Sequence, residues 1–587
     1  MEKVLLSGNE AIARGAYEHG VKVAAAYPGT PSTEILENIA KYQDIYAQWS
    51  SNEKVALEVG IGASLAGSRV LVAMKHVGVN VAADPLLTLA YTGVNGGLVL
   101  VSADDPGMHS SQNEQDNRRY GKFAKIPVLE PADSQEAKDF VGVALEISEE
   151  FDIPVILRTT TRVAHSLTEV SLGDPGEFPL QEYEKNPEKY VMIPAYARVR
   201  HEHLEEKLVK LKEYGEKSPL NFIEWEENTS KGIITSGICY QYVKEALPQV
   251  SCLKLGMSHP LPEKLIREFA EGVEELYVVE ELDPYLEEEI SSLGIKVKGK
   301  ELLPLTGEIT VGMIQDKIGG EKTFKPLELK DYDPQEIPPR PPVMCPGCPH
   351  RGVFLILNRL KLVVTGDIGC YTLGCLPPLE AMDTCVCMGA SLGAALGMEK
   401  ANPDLKGRVV AVIGDSTFFH SGLTGTLDIA YNLGSSTVII LDNRTTAMTG
   451  HQDHPGTGRT LKGEPSKAAD IPTIVKALGI ERVQEVDPLD LEKVEEAVKE
   501  EIGSSQSSVI VFQKPCALQE KERGEPFTVD EEECAYCTFC LDLGCPALIN
   551  DYQEEKVRIN SLVCNGCGLC QQVCDCGAIR KAGDTGE

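Results

Sequence analysis

The chain has 587 residues, 42% of them hydrophobic and 25% charged, the make-up of an ordinary globular protein of roughly three to five domains. Its net charge of −33 excludes a nucleic-acid binder and disfavours an anionic membrane surface, because like charges repel. No stretch approaches the roughly 18 uninterrupted apolar residues of a membrane span, and the opening MEKVLLSGNE has no signal-peptide core, so the 18 cysteines are expected to be metal thiolates in a reducing cytoplasm.

Residues 3–162 alternate apolar runs with amphipathic stretches. The runs at 4–7, 21–27, 45–48, 70–75, 98–103 and 154–158 predict strands. Stretches between them, 52–66 and 134–150 among them, predict helices, and the alternation predicts a parallel α/β sheet. Residues 165–228 are charged and weakly periodic, which predicts a helical connector. A second, smaller α/β unit follows over 231–320, with strands at 232–236 and 276–281 around a helix near 240–246. The Pro-rich stretch 325–346 reads as an extended linker. Residues 347–515 predict a third α/β domain with strands at 363–365, 409–413, 437–441 and 509–513. A cysteine-rich module occupies about 528–583, and no short-period repeat is visible.

That module reads Cys534-x2-Cys537-x2-Cys540-x4-Cys545-Pro546, then Cys564-x2-Cys567-x2-Cys570-x3-Cys574. Three thiolates at this spacing can converge on one iron–sulfur cube from one tight loop. In two-cluster ferredoxins the fourth ligand comes from the other run. Cys534, Cys537, Cys540 and Cys574 are therefore expected on one 4Fe–4S cluster, and Cys564, Cys567, Cys570 and Cys545 on the other. Paired zinc ribbons are the rival reading, but zinc sites use two pairs rather than a triplet. Asp575 stands where a Pro would follow the second run, and Cys576 is a spare thiol.

In the third domain Gly414-Asp415-Ser416 follows the apolar run VVAVI, and Asp442-Asn443 ends the run TVIIL. A hard cation bridging a diphosphate needs several protein oxygens. Asp415, Asn443 and the carbonyl of Thr445 can supply them, and a helix starting near Thr417 would aim its N–H groups at the phosphates. A generic strand–loop–helix turn is the bland alternative.

The pair GDS…DN resembles the thiamine diphosphate motif GDG…NN. The two exchanged positions are not the expected side-chain ligands. The stretch TTAMTGHQDHPGTG from Thr445 resembles the TGGQ loop of 2-oxoacid:ferredoxin oxidoreductases, with Thr449 and Gly450 matching and His451 in place of a Gly. CPGCPHRG from Cys345 resembles the CPGCG start of their diphosphate domain. The chain is thus similar, over nearly its whole length, to the large (alpha) subunits of indolepyruvate:ferredoxin oxidoreductases within that family.

The resemblance implies an α/β multidomain fold: thiamine diphosphate-binding parallel-sheet domains plus a C-terminal α+β two-cluster ferredoxin domain. The implied divisions are a pyrimidine-binding domain (1–165), a connector (166–228), a transketolase C-terminal-like domain (229–322), a linker (323–344), a diphosphate/Mg²⁺ domain (345–525) and the ferredoxin-like domain (526–587). The implied reaction is oxidative decarboxylation of an aryl 2-oxoacid to its acyl-coenzyme A, with electrons passed through iron–sulfur clusters to an external ferredoxin. The implied partner is a small (beta) subunit, in a heterotetramer. The rivals are another 2-oxoacid specificity, a non-oxidative aryl-pyruvate decarboxylase, and an electron-transfer subunit.

Thiamine chemistry needs a buried carboxyl hydrogen-bonded to the cofactor's pyrimidine N1′. Glu53, opening a Gly- and Ala-rich helix, matches the family's activating Glu; Glu58 is the runner-up, and a solvated helix-start Glu is the plain alternative. Thr30 in YPGTP matches the Thr that helps hold the substrate carboxylate, and it also reads as an N-cap with Pro31 following. Arg118 and Arg119 are candidates for a carboxylate or for coenzyme A phosphates, or else surface residues. His76 and His420 are possible proton donors. Cys345, Cys348, Cys370 and Cys516 resemble the ligands of a buried third cluster, with Cys375, Cys385 and Cys387 competing for one position, or are simply small buried residues.

Overall fold

The first sheet is built from runs that are apolar on both faces, as a strand covered by helices on either side must be. The computed structural model describes residues 2–320, 338, 340–520 and 523–583. It divides into two compact units, Met1–Asp331 and Tyr332–Glu587.

In the first unit the strands are β1 (Lys3–Ser7), β2 (Val23–Ala26), β3 (Tyr46–Trp49), β4 (Val70–Lys75), β5 (Leu98–Asp104), β6 (Val128–Leu129), β7 (Val155–Thr160), β8 (Leu167–Ser171), β9 (Asn221–Glu224), β10 (Lys231–Ser236), β11 (Ser251–Leu255), β12 (Met257–His259) and β13 (Glu275–Val279). A seven-stranded sheet runs in the order β12-β6-β7-β5-β4-β2-β3. Every residue of β4, β5 and β7 is buried. The helices Glu53–Leu65 and Ser134–Phe151 begin where their caps stand: Asn52 accepts the N–H of Val55, and Asp133 that of Glu136.

Three expectations are corrected. β1 lies outside this sheet and pairs antiparallel with β8; its Leu5 is exposed, so the strand lacks the two apolar faces a central parallel strand needs. β9 falls inside the stretch read as connector, yet pairs antiparallel with β11 in the second sheet, ordered β13-β10-β11-β9. β12 comes from the second α/β stretch but pairs antiparallel with β6 of the first sheet, so the two sheets share chain. The rest of the connector is mainly the helix Pro194–Gly215, pinned to the first sheet by Arg200 and Lys207, both paired with Asp152. Most of the Pro-rich linker, 321–337 and 339, lies outside the described residues.

Charged groups also join the two sheets. Arg118 is 1% exposed, so it is not a surface residue, and its donors are taken up by carboxylates and carbonyls of this unit. Its guanidinium donates to Asp116 (2.9 Å), to Glu280 (2.7 Å) and to the carbonyl of Glu281 (3.1 Å). Beside it Arg158 donates to Asp104 (2.7 Å) and pairs with Glu130. Burial pushes the Asp116 carboxyl up, but Arg118 and Arg158 outweigh it and hold it at about 2. Arg119 is partly exposed and pairs with Asp283 and Glu288.

The second unit carries β14 (Val363–Gly366), β15 (Thr384–Cys385), β16 (Val409–Gly414), β17 (Thr437–Asp442), β18 (Arg482–Val486) and β19 (Ser508–Gln513). They form a parallel sheet in the order β15-β14-β16-β17-β19-β18. The cysteine-rich module adds two short antiparallel pairs, Phe527–Val529 with Ile579–Lys581 and Leu548–Asp551 with Lys556–Ile559. It has no separate core: Phe527, Leu543, Val557 and Leu569 pack in one cluster with Phe354, Leu357, Leu491 and Val494 of the α/β domain.

Replacing Arg118 by Leu would leave Asp116 and Glu280 buried without their cation. The expected cost is about 3–5 kcal/mol of unfolding free energy, read by urea denaturation. A change below about 1 kcal/mol would mean the network does not hold the two sheets together.

Candidate functional site

In the first unit the candidate residues gather at the C-terminal ends of β2, β3 and β4, the edge where open α/β sheets bind ligands. Glu53 opens its helix just past β3 and is 6% exposed. Glu58, one turn on, is half-exposed and paired with Lys54, so it belongs to the surface. The Glu53 carboxyl lies on Gly78: a Cβ there would meet its Cγ and Oε1 at 2.7 Å. Only a glycine leaves the carboxyl that place. The sequence reading passed over Gly78, although the motif KHVGVN at a strand end was visible.

Thr30 is half-buried in a turn, and its carbonyl accepts the Ser110 hydroxyl (3.2 Å). It is not the N-cap: the helix Thr33–Ile39 starts later, after Ser32. The loop after β5 is tied down at His76, whose Nε2 lies 3.2 Å from the Asn113 carbonyl and whose own carbonyl accepts from Asn117 (3.1 Å). His76 is fully buried, a loop anchor.

In the second unit Asp415 and Asn443 follow the adjacent parallel strands β16 and β17 and are buried. Neighbouring strands lie about 4.8 Å apart, so two side-chain oxygens face one small volume. The helical turn begins at Asp415 itself, earlier than Thr417, and passes through the wider turn Phe418–Gly422 into the helix Leu423–Tyr431. Asp415 accepts from the N–H groups of Ser416 and Arg444 (both 2.8 Å) and faces His454 Nε2 at 3.1 Å. Burial raises its pKa, but His454 more than compensates and the carboxyl stays below its usual range. Asp442 is driven the other way, up to about 6, by burial and by the charge of Asp415. Asn443 holds the Thr445 N–H on Oδ1 (3.2 Å), and its Nδ2 lies 3.5 Å from His350 Nε2. Burial brings His350 down to about 4, so it is neutral near pH 7.

Thr445 is buried beside them, and the Ser416 hydroxyl accepts from Thr446 (3.0 Å). Thr449 and Gly450 lie in the following loop, where Gln452 donates back to the Thr449 carbonyl (2.9 Å). His451 stands at φ 69°, the left-handed backbone that favours the glycine of the resembling loop. His420 sits on Ser421 (2.5 Å). Buried oxygens at strand ends suit a hard cation. His350 and His454 went unread, though both lie within the stretches CPGCPHRG and TGHQDHPG.

The thiols fall into groups. Cys348 is pushed up to about 12 by burial, with Cys345 and Cys370 adding to the rise, and Cys370 up to about 11 by burial, with Cys516 and Cys345 adding. The N–H of Cys516 donates to the Asn443 carbonyl (3.0 Å), which ties this group to the strand-end site. Cys375, Cys385 and Cys387 are exposed, with Cys385 near the other two. In the cysteine-rich module Cys540 feels Cys574, Cys537 and Cys534. Cys545, Cys564, Cys567 and Cys570 line one cavity with Leu543, Phe527, Ile559 and Leu569. The four thiols border an apolar hollow, but among the described residues no three His, Cys, Asp or Glu side chains come together closely enough to hold a metal ion. The same cavity is lined by Arg351, a buried cation bonded to the carbonyls of Cys345 (3.3 Å), Leu543 (2.7 Å) and Gly544 (2.6 Å).

Two sequence profiles match the chain. One is the pyruvate flavodoxin/ferredoxin oxidoreductase thiamine diphosphate-binding domain, over residues 14–218. The other is the C-terminal binding domain of thiamine pyrophosphate enzymes, over residues 367–512. The indolepyruvate oxidoreductase subunit IorA of Pyrococcus horikoshii is 43% identical across 99% of this chain and 97% of its own length. The protein of the same name from Archaeoglobus fulgidus is 44% identical across 99% of this chain and 98% of its own. The chain belongs to the IorA family. It is an oxidoreductase subunit with thiamine diphosphate-binding domains. A solved structure, 2-oxoglutarate:ferredoxin oxidoreductase from Magnetococcus marinus with 2-oxoglutarate, coenzyme A and succinyl-CoA bound, matches with a TM-score of 0.47 and 18% identity over 54% of this chain and 65% of that one. Among the described residues no helix is long and apolar enough to cross a membrane.

Changing Gly78 to Ala should push the Glu53 carboxyl out of place. The expected result is a turnover number lowered about 100-fold with thiamine diphosphate affinity within a few-fold of wild type, measured by steady-state kinetics and calorimetry. Equal losses in both would mean that Gly78 serves the fold rather than Glu53.

Proposed function

We propose that this IorA-family chain is the large subunit of an indolepyruvate:ferredoxin oxidoreductase, converting an aryl 2-oxoacid, carbon dioxide leaving, to its acyl-coenzyme A. The observation that carries the reading is the Cys516–Asn443 hydrogen bond, which joins a thiol quartet to the strand-end oxygens of the thiamine domain. A non-oxidative decarboxylase would have no use for redox ligands at that distance.

Bound thiamine diphosphate supplies a carbon nucleophile and an electron sink for decarboxylation. Asp415, Asn443 and the Thr445 carbonyl would hold Mg²⁺, and through it the diphosphate. Glu53 would present its buried carboxyl to the pyrimidine N1′ of the bound cofactor and exchange a proton there. Thr30 orients the substrate carboxylate. Cys534, Cys537, Cys540 and Cys574 hold one 4Fe–4S cluster and Cys545, Cys564, Cys567 and Cys570 a second, as a C-terminal ferredoxin-like domain. Cys345, Cys348, Cys370 and Cys516 hold a third. A small subunit completes a heterotetramer, and an external ferredoxin is the acceptor.

The test is anaerobic: the chain with its small subunit, thiamine diphosphate, Mg²⁺, coenzyme A and indolepyruvate, with ferredoxin reduction followed by absorbance. Reduction only with the aryl acid and only with coenzyme A is expected. Reduction with pyruvate or 2-oxoglutarate alone would overturn the substrate class, and aldehyde without reduced ferredoxin would overturn the oxidation. Asp415→Ala should abolish thiamine diphosphate binding. Cys516→Ala should lower bound iron by roughly four atoms per chain, measured by metal analysis, and leave the C-terminal clusters in place.

A further inference from the structure

Lys75 ends β4 and is 9% exposed. A buried ammonium must be paired or hydrogen-bonded to offset its lost hydration. Its Nζ donates to the Ser110 carbonyl at 2.5 Å, which uses one of its three N–H donors. The nearby acid is Asp105, and that carboxylate is already engaged. It accepts from Thr161 (2.7 Å), from the Ser110 N–H (2.9 Å) and from Ser111 (2.6 Å). Burial accordingly brings the amine down to about 8, with Asp105 only partly offsetting it. Arg118 and Arg158, the buried guanidinium groups nearby, are spent on carboxylates instead.

The place of Lys75 is as telling as its lack of a salt-bridge partner among the described residues, Asp105 offsetting its burial only in part. Ser110, which holds Nζ on its carbonyl, gives its hydroxyl to the carbonyl of Thr30 (3.2 Å). A Cβ on Gly29 would lie 3.0 Å from the Lys75 Cβ, so the YPGT turn packs directly on this side chain. Three residues on, Gly78 carries the Glu53 carboxyl. A spare cation therefore sits at the same sheet edge as the residues assigned to the substrate and to cofactor activation.

We propose that Lys75 receives the carboxylate of the 2-oxoacid substrate. The inference deepens the reading of the active site given above and rests on it. A cation with two donors unused among the described residues attracts a carboxylate and leaves an uncharged aldehyde alone, so Lys75 selects for the acid and places its carboxylate beside Thr30. The rival role is a tether for the loop after β5, through Ser110 alone.

The test uses the complete enzyme with its small subunit. Lys75→Met should raise KM for indolepyruvate about 10- to 100-fold, the value of a charge-assisted hydrogen bond, and leave the inhibition constant of indole-3-acetaldehyde within about 2-fold. In wild type, KM should climb as pH rises through about 8 and the amine loses its proton. Lys75→Arg, which stays charged, should keep most of the affinity and lose that climb relative to wild type at each pH. Equal losses for acid and aldehyde, or a fall in kcat with KM unchanged, would overturn the proposal in favour of the tether. So would loss of the thermal stabilisation by thiamine diphosphate in Lys75→Met. A wild type that turns over a different 2-oxoacid fails the substrate reading alone, and the same comparison with that acid and its aldehyde still decides the role of Lys75.

Discussion

Charge buried at the C-terminal edges of parallel strands is the constraint on which the structure depends. Parallel strands covered by helices put their ends where water is scarce, and a carboxylate or ammonium placed there must find a partner. In the first unit Asp104, Asp116, Glu130 and Glu280 find theirs in Arg118 and Arg158. In the second, Asp415 takes His454 and two backbone N–H groups, and Asp442, left in its field, rises to about 6. The two carboxylates are shifted in opposite directions by unlike surroundings.

The same argument separates the structural charges from the functional ones. Arg118 is saturated and joins two sheets. Lys75 is buried at the neighbouring strand end but holds a single carbonyl. Glu53 keeps its buried place because Gly78 offers no side chain. Saturation marks a brace, and an unfilled donor set marks a place for a ligand.

Sulfur follows a parallel logic in the second unit. Thiols are small and apolar enough to enter a core, and the cysteine-rich module shares one with the α/β domain. Arg351 bonds the carbonyls of Cys345, Leu543 and Gly544, so a single cation lies between two thiol groups. Its charge pulls the Cys348 and Cys567 thiols toward thiolate, but burial outweighs it and raises both.

Much of this was legible in the chain itself. Apolar runs such as VLVAMK and VVAVIG read as buried parallel strands and are found as such, and Asp415 and Asn443 were placed at strand ends, where they stand. The cysteine spacing grouped thiols before any fold was known. What the residues alone could not decide was pairing at a distance. The strand of Met257–His259 pairs with Val128–Leu129, more than 120 residues earlier, and Lys3–Ser7 leaves the sheet its apolarity suggested. Arg118 reads as a surface or ligand-binding residue until Glu280, 162 residues away, takes it up. Lys75 carries no local signal, because what marks it is a donor set only partly filled among the described residues. Local patterning follows from backbone geometry and side-chain polarity, both written in neighbouring residues. The state of a buried charge depends on what tertiary packing brings to it, and only the folded chain holds that information.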